Sequence, residues 1–291
     1  MAATRKKITR VQRGSKQRSA SRRAASPQRA PISLTIAGSD SSGGAGIEAD
    51  LKTFSALGVY GAAVVTAVTA QNTKGVHGIH DVPADFIAAQ IDAVFADLDV
   101  GAVKIGMLPG AAAIDVVAEA LDRHRPPNVV LDPIMAATSG KRLLRADVGR
   151  LRSLLSRVRL VTPNLPEAAA LLDVAPAGDD DEMRAQAEKL LVLGATAVLI
   201  KGGHRSGRES VDFLVEPGRC LRLAALRVAT KNTHGTGCTL SSAIAAGLAK
   251  GLSLESAAKQ AKEYVSAAVA AADRLVVGSG RGPLHHFHAW W

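Results

Sequence analysis

Apolar residues along this chain fall into short unbroken runs, separated by longer stretches where they recur every three or four positions. Residues 32–37, 62–70, 102–105, 129–132, 159–161 and 197–201 read as buried strands. Between them 47–57, 84–97, 110–123, 144–156 and 181–193 read as helices, the first closed by Gly58. Pro163-Asn164-Leu165-Pro166-Glu167 opens another helix, with Pro166 tolerated in its first turn. Residues 75–82 alternate weakly around two glycines and read as a small hairpin or flap. Two strands without an intervening helix follow, near 210–216 and 219–228, joined at Pro217-Gly218. Two helices come last, the second with Leu254, Ala257, Ala258, Ala261, Tyr264 and Val265 at helical spacing. This alternation predicts a single α/β domain with a mainly parallel central sheet covered by helices on both faces.

Composition supports that reading. The 291 residues are 47% hydrophobic but only 3% aromatic, so the core must be built from Ala, Val, Leu and Ile. The net charge of +10 belongs to one end: residues 1–30 hold ten Lys or Arg and no acid, which leaves 26 basic and 26 acidic residues in 31–291. A disordered basic tail (1–30) ahead of a neutral domain (31–291) is expected. The tail fits a solvated extension, a transit-type segment, or a weak contact to nucleic acid or anionic membrane. A non-catalytic nucleic-acid binder would rest on the tail alone, because the body lacks interleaved basic and aromatic residues. No apolar run reaches the ~18 residues of a membrane span, and Cys220 and Cys238 form no disulfide framework, so a cytoplasmic protein is expected.

Ligands of such sheets sit beyond the carboxyl ends of the strands. The residues found there are Gly38, Gln71, Lys104, Asp132, Asn164 with Glu167, and Lys201. The strongest local signal is Lys231-Asn232-Thr233-His234-Gly235-Thr236-Gly237-Cys238, a polar glycine-studded loop running into a small-residue apolar helix. Free N–H groups and the positive end of the helix dipole make such a junction an anion site, most naturally for phosphate. The same field would favour a Cys238 thiolate. Three rivals fit less well. Gly44-Ala45-Gly46-Ile47-Glu48-Ala49 matches a permissive dinucleotide fingerprint, but no acid occurs between Asp50 and Asp81 to hold the ribose. A Cys238–His234 hydrolase lacks a marked orienting group. His285, His286 and His288 lack Cys or acid neighbours for a metal and read as a terminal segment packed by Phe287, Trp290 and Trp291.

The stretches LTIAGSDSSGGAGIEADLKTFSALGVYG, TAQNTKGV, KIGML, VVLDPIM, LVTPNLPEAAALL, LIKGGH, NTHGTGCTLSSAIAAGLA and GPLHHFHAWW, in that order, cover nearly all of 31–291. In them the chain resembles the hydroxymethylpyrimidine/phosphomethylpyrimidine kinases of thiamine biosynthesis, of the ribokinase-like superfamily. The resemblance implies a ribokinase-like three-layer sandwich and two ATP-dependent phosphorylations, first of 4-amino-5-hydroxymethyl-2-methylpyrimidine, then of its monophosphate. It implies that Gln71, Gly38, Asp50, Met107 and Ile134 bind the pyrimidine, and that Lys201, Asn164 and Thr233 bind ATP. Asp132 and Glu167 would organise Mg²⁺. Gly235, Thr236 and Gly237 would form the anion hole, with Cys238 as candidate base. The wider superfamily ends that loop in Asp; Cys238 selects the pyrimidine-kinase branch and some pyridoxal kinases, so a pyridoxal kinase is the alternative. A homodimer is expected as well.

Overall fold

The computed structural model describes residues 29–136, 143–145, 148–203 and 205–291, with Ala2 and Gly140. The expected disorder of 1–30 therefore lies outside the described residues except at Ala2, Arg29 and Ala30. Mostly apolar runs form the strands β1 (Ile32–Ala37), β2 (Tyr60–Val65), β5 (Ala102–Ile105), β6 (Val129–Leu131), β7 (Leu160–Val161) and β8 (Val198–Lys201), numbered in chain order with those below. These six pair in parallel in the order β8-β7-β6-β5-β1-β2. Antiparallel β9 (Glu209–Glu216) and β10 (Arg219–Leu226) extend the sheet beyond β8.

Alternate strand residues feed two cores. Val103, Ile105, Leu131, Val198 and Ile200 face α2 (Ala84–Asp97), α3 (Ala111–His124), α5 (Leu165–Leu172) and α6 (Asp180–Val192). Ala102, Val130, Leu160 and Leu199 face α1 (Gly46–Ala56), α7 (Thr236–Ala249) and α8 (Leu254–Ala270). The second face is lined mainly by alanine and leucine, and α7 and α8 approach so closely that a Cβ on Gly247 would sit 2.8 Å from Ala257 Cβ. The mainly parallel sheet, the helical layers on both faces and the flap are all present. Among the described residues no helix is long and apolar enough to cross a membrane.

Two expected elements differ. The single strand at 62–70 divides at Thr66, whose hydroxyl donates to Met107 O at 2.7 Å. The chain then leaves the sheet as β3 (Ala67–Asn72) and pairs with β4 (Gly75–Asp81) in a separate two-stranded flap. Gln71 thus stands on the flap and not at a sheet edge. The helix expected over 144–156 shortens to α4 (Val148–Arg152) and a 3₁₀ turn at Leu155–Arg157.

Mid-sheet, the Lys104 side chain points into the alanine-rich core with no exposure. Its ammonium donates to both Asp50 oxygens, at 2.9 and 2.8 Å, while Thr35 and Ser242 hydroxyls donate to the same carboxylate at 2.6 Å each. Burial works against the charged lysine, but Asp50, with Cys238 and Asp132 beyond it, outweighs this and leaves its pKa above the ordinary value. Removing one partner strands a buried charge. Lys104→Met should therefore lower the unfolding free energy by about 3–5 kcal/mol. The double variant Asp50→Leu/Lys104→Met should lose less than the two single losses together. Urea denaturation of the four proteins checks this, and additive losses would show that the two groups do not support each other.

Candidate active site

A cavity of about 710 Å³ runs along the carboxyl edge of the sheet from the flap to α8. Gly38, Gln71, Met107 and Ile134 line one end. Asp132, Asn164, Glu167 and Lys201 line the middle, with Thr233, Gly235, Thr236, Gly237 and Cys238 above them. The structure brings together every expected site residue except Asp50 and the strand residue Lys104, which is buried mid-sheet. Asp50 has no exposure and is committed to Lys104, so it supports the site from within the core and does not reach a ligand.

The anion loop is built by the backbone. Gly235 caps α7 in the left-handed region (φ 82°), and a Cβ there would overlap the Gly44 carbonyl oxygen. Only glycine satisfies both demands. A Cβ on Gly237 would lie 3.2 Å from Lys201 Nζ and 3.6 Å from Asp132 Oδ2, so the loop passes directly over that charged pair. Cys238 is buried beneath the loop, and its expected thiolate does not materialise. Desolvation pushes the thiol up to about 11; Lys104 and the Gly46 amide pull the other way, but Asp50 and Asp132 add to the rise. The helix field is outweighed by burial and two nearby carboxylates.

Below the loop, Lys201 Nζ donates to Asp132 Oδ1 at 2.7 Å and lies 4.0 Å from Glu167 Oε2. Burial opposes the Lys201 charge, yet the two carboxylates hold its pKa above the ordinary value. Asn164 and Glu167 form a capping box: each backbone N–H donates to the other's side chain, at 2.8 and 2.9 Å. Glu167 is pushed up to about 7, chiefly by burial and secondarily by Asp132, against the pull of Lys201 and the cap. Among the described residues Asp132 Oδ2 accepts only from Ser241 Oγ, at 3.5 Å, and the cap uses Glu167 Oε2. One oxygen of each acid thus remains for a cation. Among the described residues no group of three or more His, Cys, Asp or Glu is placed to hold a metal. That donor set fits Mg²⁺, which takes one or two carboxylates and completes its shell with phosphate and water.

At the flap end the structure adds residues that the sequence does not single out. Asp40 accepts from the Ser42, Gly44 and Ala45 amides at 2.9, 3.2 and 2.9 Å and from His234 Nε2 at 2.8 Å. Burial opposes ionisation, but the His234 and Ser42 hydrogen bonds prevail and bring Asp40 to about 2. The amides that a dinucleotide phosphate would require are therefore held by the protein's own carboxylate, which removes the dinucleotide reading. Gln71 Nε2 lies 3.2 Å from His234 Nε2. Since His234 Nε2–H is donated to Asp40, the Gln71 amide nitrogen has no acceptor there and keeps its donors for a ligand. Asp40 is hidden in the sequence by the polar run around it. At the opposite end, Lys262 Nζ donates to Asp212 Oδ2 at 2.7 Å on the cavity wall; a lysine within an amphipathic helix gives no sign of this.

Comparisons with known proteins agree with this geometry. A model of the family described as phosphomethylpyrimidine kinase matches residues 40–285. The hydroxymethylpyrimidine/phosphomethylpyrimidine kinase of Rhizobium meliloti (strain 1021) is 57% identical over 262 residues, 89% of this chain and 98% of that protein. Its Escherichia coli (strain K12) counterpart is 53% identical over 260 residues, 89% and 98%. Among solved structures, an ADP complex of Bacillus subtilis pyridoxal kinase has a TM-score of 0.82 at 35% identity, covering 90% of this chain and 99% of that one. A phosphomethylpyrimidine kinase from Clostridium difficile 630 has a TM-score of 0.72 at 43% identity, covering 81% and 97%. The ribokinase-like architecture, the kinase site along its sheet edge and these likenesses agree: the chain belongs to the phosphomethylpyrimidine kinase family.

Proposed function

We propose that this protein transfers the terminal phosphoryl group of ATP to the hydroxymethyl oxygen of 4-amino-5-hydroxymethyl-2-methylpyrimidine, and then to the resulting monophosphate, in thiamine biosynthesis. The observation that carries this is one continuous cavity in which an amide-bearing flap, an anion loop and a Lys201–Asp132–Glu167 cluster meet. The pyridoxal reading draws on a solved neighbour at 35% identity, below the 57% of a relative named for the pyrimidine. A coupled ATP-consumption assay with the pyrimidine, its monophosphate and pyridoxal side by side tests the assignment; preference for pyridoxal would overturn it. The reading carries a cytoplasmic location and a homodimer with it, the latter checked by light scattering.

In this reading Gln71 binds the aminopyrimidine edge, and Gly38 and Met107 pack its ring. Phosphoryl transfer asks mainly for positioning and charge stabilisation. The amides of Gly237 and Cys238 at the start of α7 and the Lys201 ammonium hold the transferring phosphate, while the Thr236 N–H is donated to Thr233 O. Asp132 and Glu167 hold Mg²⁺, which supplies charge neutralisation of the nucleotide phosphates when bound. Asn164 and Thr233 flank the nucleotide, and Cys238 takes the proton that leaves the hydroxymethyl oxygen.

Three outcomes check these roles. Gln71→Ala should weaken pyrimidine binding by roughly 1–3 kcal/mol and leave ATP binding unchanged in calorimetric titrations. Equal weakening of both ligands would remove Gln71 from the acceptor site. Glu167→Gln keeps the capping box and loses the charge, so the Mg²⁺ concentration for half-maximal rate should rise while the pyrimidine KM stays constant. An unaltered Mg²⁺ titration would count against the metal role.

The third outcome follows from the raised Cys238 thiol. Below a pKa of about 11 the thiolate fraction grows tenfold with each pH unit. The first phosphorylation should therefore climb with pH from neutrality upward. The second uses a phosphate monoester already dianionic above ~6 and should stay flat. Cys238→Ala should abolish the climb and damage the first step by the ~10²–10⁴-fold typical of a base. A flat wild-type profile for the first step would reduce Cys238 to packing under the loop.

A further inference from the structure

The C-terminal segment from Gly278 onward takes no part in the chemistry above, yet it touches both ends of the site. The flap tip rests on it: the Arg281 N–H donates to Thr73 O at 2.8 Å and the Gly280 N–H to Thr73 Oγ1 at 3.1 Å. The segment then runs beside the anion loop. Gly282 donates its N–H to Asn232 Oδ1 at 2.9 Å and accepts from the His234 N–H at 3.1 Å, and Pro283 bridges to His234. Trp291 packs against His285 and Phe287 as expected, with ring centroids 4.7 and 6.4 Å apart, but the two tryptophans keep most of their surface in solvent. Trp290 and Trp291 are 71% and 65% exposed, whereas His286 is 4% exposed and ends against α7.

His286 Nε2 lies 3.0 Å from Thr239 Oγ1, and Thr239 Oγ1 lies 2.8 Å from Gly235 O. Valence sets the direction. The carbonyl only accepts, so the Thr239 hydroxyl donates to it and its oxygen accepts from the His286 Nε2–H. Burial, with Lys52, His285 and His288 adding to it, brings the His286 pKa down to about 4, so the ring is neutral at neutral pH. The Tyr264 hydroxyl donates to His286 O at 2.7 Å and fixes the backbone that carries the ring. A threonine in a helix bonds its i−4 carbonyl unaided. The buried histidine is an addition, and it orients that hydroxyl on the one carbonyl that belongs to the left-handed cap of the anion loop.

We propose that His286 is a positioning residue for phosphoryl transfer: through the Thr239 hydroxyl it holds the Gly235 carbonyl, and with it the turn that sets Gly237 and Cys238 against the cavity. The proposal rests on the kinase reading above. Its test compares the full-length wild type with His286→Ala, His286→Gln, Thr239→Val and Thr239→Ser. The readouts are steady-state kinetics and, without substrates, hydrogen exchange of the amides at 235–238. His286→Ala and Thr239→Val should each lower kcat by roughly 10–100-fold, as small misplacements of a reacting group do. They should leave the KM values for pyrimidine and ATP near wild type and speed exchange at 235–238. Gln and Ser, which keep the donor and the hydroxyl, should restore most of kcat. Wild-type kcat and exchange in Thr239→Val overturn the proposal, as does a Gln variant no better than Ala. If His286→Ala does not fold, the Thr239 pair decides by the same criteria. Failure of the wild type to phosphorylate the pyrimidine would refute the function reading, while unchanged exchange at 235–238 would separately refute the positioning.

Discussion

The Asp50–Lys104 ion pair is the constraint on which the site depends. One carboxylate gathers a strand hydroxyl from β1 (Thr35), an ammonium from β5 (Lys104) and a helix hydroxyl from α7 (Ser242), while itself belonging to α1. An apolar core tolerates small slides of a helix along a sheet, because one methyl contact replaces another. A buried charge satisfied from three directions does not, since any slide leaves a polar group without a partner. Ser242 lies one turn beyond Cys238, so fixing its height on the sheet also fixes the start of α7. The helix N-terminus is held over the strand ends by electrostatics inside the core, and the alanines around it allow the close approach.

Charge balance at the surface of that core follows the same logic. Asp132 and Glu167 would repel each other and an incoming polyphosphate. Lys201, placed between them, pairs with Asp132, and burial still leaves Glu167 raised to about 7. The cluster therefore offers a cation two partly used carboxylates and offers a phosphate one ammonium and the amides of α7. Neither ligand is fully served by the protein alone, which suits a site where metal and phosphate arrive together. Cys238 stands between this cluster and the Lys104 pair, and its thiol is raised first by burial and then by the carboxylates on both sides.

Much of this was legible in the chain. Apolar runs ending abruptly in Gly38, Asp132, Asn164 and Lys201 mark strand ends, and parallel pairing then brings residues far apart in sequence to one edge. The loop from Lys231 to Cys238 shows its turn into α7 through two glycines before a small-residue helix. Gln71 lines the cavity, but from the flap and not from a sheet edge: its run looks continuous with β2, and the departure at Thr66 depends on a hydrogen bond to Met107 O that no local pattern announces. Asp50 has the character of a site acid but lies on the inward face of α1, and its partner Lys104 reads as a strand-end residue although its side chain is buried mid-sheet. The His234–Asp40 and Lys262–Asp212 pairs are missed for a common reason. Each joins residues far apart in the chain, and neither partner departs from what a polar loop or an amphipathic helix ordinarily contains.

The flap and the anion loop share no strand and no helix, yet both are fastened to the same few C-terminal residues. Thr73 at the flap tip meets Gly280 and Arg281, and the loop meets Gly282, Pro283 and His286 through Asn232, His234 and Thr239. Glycines at 280 and 282 are required by these contacts, since a Cβ at either would overlap Thr73 O or Asn232 Oδ1. Thr73 lies two residues beyond Gln71, so the Gln71 amide and the Gly235 turn are indexed to one backbone segment. A two-stranded flap has little stability of its own, and a helix N-terminus cannot by itself sense where an acceptor lies. In the transfer proposed above, joining both to one strap lets the position of the acceptor be set relative to the phosphate, which is the distance that phosphoryl transfer depends on.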